Sequence, residues 1–304
     1  MRDGAVRAEE RRAQGPLVID LDGTMIHSDT LMEGIAAGLF QKPFATLAGC
    51  ASAVFSVPRF KSWIFQNVEV DYDAIPANDG LVTWLTEEKA KGRPIHLVSA
   101  ANQAVVDRLA SRFEIFDSAH GSSETHNLKG RNKQKFIIEN FGPNAVYAGD
   151  SRPDLHVWKG LGGAIYAGTD KAVARRLEKS GQLYADFTRP SAGAKAWLKA
   201  LRIHQWSKNF LIFAPLILAH AYRDVSATIS TVLAFLILGV VASGTYIIND
   251  LSDLSSDRRH RTKKMRPLPA GRIAVWQALV VAPFLVVGGL IAAWFVQPLF
   301  ALVL

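Results

Sequence analysis

Cysteine occurs once in these 304 residues, at Cys50. That excludes an internal disulfide and leaves no thiolate spacing for a metal centre. The opening stretch, MRDGAVRAEERRAQG, lacks the apolar core of a secretory signal, so the first domain is expected to stay in the cytoplasm. No internal repeat or low-complexity tract is present. Charge is missing altogether from Ile273 to Leu304. From Met1 to Ala194, 23 basic residues meet 23 acidic ones, so the excess of +8 falls wholly between Lys195 and Arg272, where 12 basic residues face 4 acidic ones. A basic excess confined beside apolar runs points to a membrane face and anionic lipid, and away from nucleic acid as partner. The length suits about two domains, and the 49 % apolar content is unevenly divided between them.

The first 190 residues alternate short apolar runs with helical stretches. Leu17–Ile19 runs into Asp20-Leu21-Asp22-Gly23-Thr24. Pro94–Val98 ends at Ser99, Ala145–Ala148 at Gly149-Asp150, and Ala164–Ala167 at Gly168. Gly80–Lys91, Gln103–Arg112 and Asn132–Asn140 read as helices between them. This order predicts a mostly parallel sheet covered on both faces, an α/β Rossmann-like fold. Ligands in such sheets lie beyond the carboxyl ends of the strands, where Asp20, Asp22, Ser99 and Asp150 would meet.

DLDGT at 20–24, VSA at 98–100, the lysine of KGRNK at 129–133 and GDSRPD at 149–154 together resemble the haloacid dehalogenase superfamily over residues 16–190. The resemblance implies a phosphatase with Asp20 as nucleophile and Asp22 as proton donor and base. Ser99 and Lys133 would act on the phosphate, with Lys129 as the alternative lysine. It further implies Mg²⁺ held by Asp20, Asp150, the Asp22 carbonyl and Asp154, with a phosphomonoester as substrate. Residues 30–75 would form a small helical cap; Phe40, Phe44, Phe55, Phe60, Trp63 and Phe65 either line it toward the substrate or, as their apolar character favours, form its core. Cys50 reads as a small core residue. Met25, His27 and Asp29, just after the turn, face either the cap or solvent.

Residues 170–195 read as a last helix and a linker, and 191–209 as a basic juxtamembrane stretch containing Trp206. Apolar spans are expected over about 206–222, 225–248 and 273–296, with a fourth beginning at 298–304. Lys and Arg before the first span and after the second place both flanks in the cytoplasm, at the cell (inner) membrane. Between the second and third spans stands NDLSDLSSDRRHRTKKMRPLPAG, residues 249–271. Asn249, Asp250, Asp253 and Asp257 recur at three and four, one face of a helix continuing the second span.

Arg202, Gln205-Trp206, Lys208-Asn209, the NDxxDxxxD run at 249–257, Lys263 and Arg266-Pro267-Leu268 resemble the UbiA superfamily of intramembrane transferases, nearest the branch using polyprenyl phosphate. The resemblance implies that Asp250, Asp253 and Asp257 bind Mg²⁺. Asn249, Lys263, Arg266, Lys208 and Asn209 would bind the diphosphate donor, and an isoprenoid or polyprenyl phosphate lipid would accept the group. The family carries about nine transmembrane helices and a second Asp-rich motif. This chain has roughly three apolar spans and no second cluster after Asp257, so it reads as a partial bundle not expected to perform the transfer as written.

Overall fold

A computed structural model describes residues 15–53, 56–123 and 127–304; Phe55 and the polar tail through residue 14 lie outside it. Two units separate along the chain, Met1–Ser191 and Ala192–Leu304.

In the first unit six parallel strands among the described residues, β1 (Leu17–Ile19), β2 (Ile95–Asn102), β3 (Ser118–Ser122), β4 (Val146–Gly149), β5 (Gly163–Tyr166) and β6 (Leu183–Asp186), stand in the order β3-β2-β1-β4-β5-β6. Leu17 lies opposite Ile95 on one side and Val146 on the other. Side chains alternate between the faces with period two. Leu17, Ile19, Leu97, Val146, Ala148 and Ile165 pack into one core. Val18, Val98, Tyr147, Ala164 and Tyr166 pack into the other. The helices that accompany the sheet are α1 (Thr30–Gln41), α2 (Pro43–Ser52), α3 (Val57–Asn67), α4 (Asp79–Ala90), α5 (Gln103–Phe113), α6 (Arg131–Phe141) and α7 (Lys171–Lys179). Helices α4 and α5 cover the first face, α6 and α7 the second. The strand order reverses at β1 and β4, which opens a crevice at their carboxyl ends.

Helices α1 to α3 form the expected insertion, with a core of Phe60, Ile64 and Val68 joined by Leu31, Ile35, Cys50 and Trp63. Phe65 instead packs toward the main core. Phe40 and Phe44 are exposed and so do not join the cap core. The buried face of α1 includes Gly34 and Gly38. At about 100° per residue, Phe40 stands some 200° round from Gly38 and points away. Met25 faces neither cap nor solvent: it is wholly buried in the main core. The turn returns it there, its N–H donating to the Leu21 carbonyl at 3.0 Å. The stretch read as a linker contains strand β6.

The second unit begins with α8 (Ala194–Ala200) and contains two long helices, α9 (Val225–Ser252) and α11 (Val275–Val296), with the short α10 (Leu254–Arg259) and α12 (Pro298–Val303). Both long helices are long and apolar enough to cross a membrane. The expected first span over 206–222 is not one helix. It is a 3₁₀ run, Ile203–Phe213, a single α-turn, Ala214–Leu218, and a 3₁₀ turn, Ala221–Arg223. Arg202, just before it, and His220, inside it, take left-handed backbone, and Pro215 lacks a donor N–H. Its side chains instead pack along α9. The Trp206 ring covers Gly239, and Trp206 Nε1 donates to Ser243 Oγ at 3.0 Å. Ser243 Oγ in turn donates to the Leu201 carbonyl at 2.7 Å.

A Cβ at residue 239 would stand 2.6 Å from the Trp206 ring, whereas one at Gly288 would meet nothing within 4 Å. Overpacking costs about 1–3 kcal/mol. Gly239→Leu should therefore melt several degrees below the parent in detergent while Gly288→Leu stays near it; equal melting of the two variants would contradict this packing.

Candidate active site

The crevice at β1 and β4 gathers charge. Asp20 directly follows β1, and its N–H donates to the Ala148 carbonyl of β4 at 3.0 Å. Asp150 directly follows β4. Asp154 lies in the 3₁₀ turn Arg152–His156, where its Oδ2 accepts from the Asp150 N–H at 3.2 Å, the Ser151 N–H at 3.1 Å and Ser151 Oγ at 2.9 Å. Carboxylate oxygens of Asp20, Asp150 and Asp154 lie within 4.8 Å of one another, and among the described residues no other such acidic group occurs. Lys133, in the first turn of α6, reaches Asp20 Oδ2 at 2.8 Å. Lys129 is exposed. Ser99 is buried within β2, its Oγ accepting the Ala101 N–H at 3.1 Å.

Asp22 stands apart from that cluster. Its Oδ1 accepts the Thr30 N–H at the start of α1 at 2.8 Å, and Thr30 Oγ1 lies 3.3 Å from Oδ2. Asp29 caps the same helix through the N–H groups of Leu31 and Met32. Burial, then the charge of Asp29, holds Asp22 well above the usual carboxylate range. Burial with Asp154 and Asp20 alongside pushes Asp150 up to about 7, and burial with Asp20 beside it raises Asp154. Three hard oxygen donors this close fit a divalent cation such as Mg²⁺, across which two opposed oxygens stand about 4 Å apart. Gly23 permits the approach. Its φ is +73°, and a Cβ there would stand 2.2 Å from Asp150 Oδ2.

Three neighbours of this site were not singled out in the sequence. Tyr147 of β4 sends its hydroxyl among Asp20, Asp154 and Lys133. Arg189, read as linker, donates to the Ala167 carbonyl at 3.0 Å and to that of Gly23. Lys61, on α3, donates to the Ala100 carbonyl at 2.8 Å, and burial lowers its pKa against the opposing pull of Asp22 and Asp29. A small pocket there is lined by Lys61, Ser62, Asn102, Ser122, Ser123 and Asn127 with Val57 and Pro58. Tyr147 sits inside an apolar run that reads as core, and Lys61 and Arg189 carry no motif.

In the second unit the Asp-rich stretch bends. Helix α9 ends at Ser252, Asp253 lies at the break, and α10 carries Asp257. Asp250 and Asp257 are buried; Asn249 is exposed. Arg202 Nη2 lies 2.5 Å from Asp250 Oδ1 and stacks on Tyr246 at 4.8 Å. Arg266 Nη1 bridges Asp250 at 3.1 Å and Asp257 at 2.7 Å, and Lys263 reaches Asp257 at 3.1 Å. Of the expected metal face of Asp250, Asp253 and Asp257, the structure thus pairs Asp250 and Asp257 with arginine and lysine side chains. Burying two carboxylates demands close partners, which the cations supply. A cleft of about 220 Å³ beside them is lined by Lys199, Arg202, His204, Gln205, Asp250, Arg266 and Pro267. Lys208 and Asn209 do not line it; Lys208 is exposed.

Residues 210–304 match the UbiA prenyltransferase family. The protein y4nM of Sinorhizobium fredii is 37 % identical over 289 residues, 95 % of this chain and 56 % of y4nM. The decaprenyl-phosphate phosphoribosyltransferase of Mycobacterium tuberculosis is 38 % identical over 124 residues, 38 % of this chain and 40 % of that enzyme. The chain thus spans about half or less of the length of these relatives. Among solved structures, a haloacid dehalogenase family hydrolase, t0658 from Salmonella enterica serovar Typhi, covers 58 % of this chain and 68 % of its own at 18 % identity and a TM-score of 0.44.

With Asp150 near 7, at least one proton must leave before a cation binds between the carboxylates. Mg²⁺ affinity, measured calorimetrically, should rise about tenfold per pH unit up to roughly pH 7 and flatten above it. Affinity that does not change from pH 6 to 8 would contradict this.

Proposed function

We propose that residues 15–191 are a cytoplasmic phosphomonoesterase fused to a membrane transferase of the UbiA kind. The convergence of Asp20, Asp150, Asp154 and Lys133 at the β1–β4 crevice carries the phosphatase reading. An Asp20 carboxylate oxygen attacks phosphorus, and the bond to the ester oxygen breaks. Asp22, kept protonated by burial, hands its proton to the leaving oxygen. It then takes a proton from water as that water attacks the phosphorus, freeing phosphate and restoring Asp20. Lys133 balances charge on the transferring group, and Ser99 donates to a phosphate oxygen. A bound Mg²⁺ on Asp20, Asp150 and Asp154 would neutralise phosphate charge.

For the second unit the match of residues 210–304 supports transfer of a prenyl or phosphoribosyl group from a diphosphate donor to a polyprenyl phosphate. Transfer of a phosphoribosyl group leaves a phosphomonoester on the lipid, which is the class of substrate the fused phosphatase would take. The match and the long helices support a cell-membrane location for this unit. The arginine-bound state of Asp250 and Asp257 favours a second reading, in which the helices of this chain serve as an anchor for the phosphatase.

Asp20→Asn should abolish Mg²⁺-dependent hydrolysis of ribose 5-phosphate, and Asp22→Asn should slow it by about 10²–10⁴-fold. Hydrolysis that survives Asp20→Asn would end the phosphatase reading. Loss of transfer on Asp250→Ala in a transferase-active preparation would end the anchor reading.

A further inference from the structure

Tyr147 is one of three neighbours of the crevice that the proposed steps leave without a role. It sits in the middle of β4, fully buried, its ring packed on Trp158 at 6.2 Å between centroids. Any large apolar side chain could fill that part of the core. The hydroxyl, however, lies at a junction. Lys133 Nζ donates to it at 3.0 Å, and the hydroxyl stands 3.2 Å from Asp20 Oδ2 and 3.0 Å from Asp154 Oδ1. The Lys133 ammonium also lies 5.5 Å from the ring centroid. A phenol carries a single proton, so it serves one of the two carboxylates at a time. Lys133 spends one N–H on Asp20 and another on the phenol.

We propose that Tyr147 is a positioning residue for phosphoryl transfer, holding Lys133 and the Asp20 carboxylate in register before substrate arrives. It acts chiefly through Lys133, and its own hydrogen bond to Asp20 Oδ2 steadies the nucleophile while forming no bond to phosphorus. As Asp20 gives its electron pair to phosphorus, the phenolic hydrogen bond passes to Asp154, and the phenol keeps its proton throughout. The role rests on the phosphomonoesterase reading above. It also accounts for a polar atom placed deep in a β-strand core, where an unpaired hydroxyl would be costly.

The test uses the full chain in detergent with Mg²⁺ and p-nitrophenyl phosphate, comparing Tyr147→Phe, Lys133→Gln and the double variant. Tyr147→Phe keeps the ring on Trp158 and removes only the hydroxyl. Its kcat should fall about 10- to 100-fold, with KM within about twofold and melting within a few degrees of the parent. Because the tyrosine acts through the lysine, the double variant should be no more than about threefold slower than Lys133→Gln. A kcat for Tyr147→Phe close to the parent's, or full additivity in the double variant, overturns the role while Asp20-dependent hydrolysis in the parent still upholds the phosphatase reading. Parent hydrolysis that does not depend on Asp20 removes both.

Discussion

Like-charge crowding at the ends of β1 and β4 governs the first unit. Three carboxylates placed within 4.8 Å of one another, largely out of water, repel and lose hydration together. Each surrounding feature answers that cost. Lys133 reaches in from a helix end, Asp154 is tied down by the N–H groups of Asp150 and Ser151, and Gly23 clears space beside Asp150. Arg189 holds the Gly23 and Ala167 carbonyls from after β6, steadying the turn against the neighbouring strand end. What remains uncompensated shows in the upward shift of Asp150 to about 7. A site that resists ionising fully without a partner is prepared for a cation.

The second unit meets the same cost in another way. Asp250 and Asp257 are also buried acids, yet their partners are Arg202, Arg266 and Lys263 rather than further carboxylates. A guanidinium pairs with carboxylate without the dehydration a small divalent ion demands. Arg202 reaches its place because the chain before it lies along one face of α9: Gly239 under Trp206, Ser243 bonded to Trp206, Tyr246 under Arg202, and Asp250 paired with it. These four positions recur at four, three and four, so a single helical stripe docks the basic segment. An anionic ligand entering the adjoining cleft would meet Arg202, Arg266 and Lys199 together.

The strands legible from sequence are the ones buried on both faces. β1, β4 and β5 are continuous apolar runs, and β2 is one up to Ser99 apart from His96. β3 (Ser-Ala-His-Gly-Ser) and β6 (Leu-Tyr-Ala-Asp) lie at the sheet edges, where one side is free of a partner strand and the apolar signal thins. Tyr147 was hidden because an aromatic inside an apolar strand reads as packing, and only the hydroxyl's reach past the strand end gives it away. Phe40 and Phe44 misled because helix phase, not hydrophobicity, decides which side chain turns inward. The stretch 206–222 misled for a related reason. It is apolar enough to span, but Pro215 and the left-handed His220 within it break the ladder that a spanning helix requires.

Asp20 and Asp22 are two residues apart, yet their surroundings push them toward different chemistry. Asp20 faces a lysine ammonium and a phenol, donors that fix the aim of its oxygen toward the crevice. Asp22 faces the start of α1, where the Thr30 N–H gives some relief, but burial and the charge of Asp29 outweigh that bond. In the mechanism we propose, one carboxyl is thereby aimed for attack and the other kept protonated to donate, with no difference in residue type. The separation comes from the tight turn itself. Gly23 lets the chain reverse so that Asp22 leaves the metal-fitting cluster and turns to the cap helix α1. The proposed division between nucleophile and acid thus turns on the same glycine that makes room for Asp150.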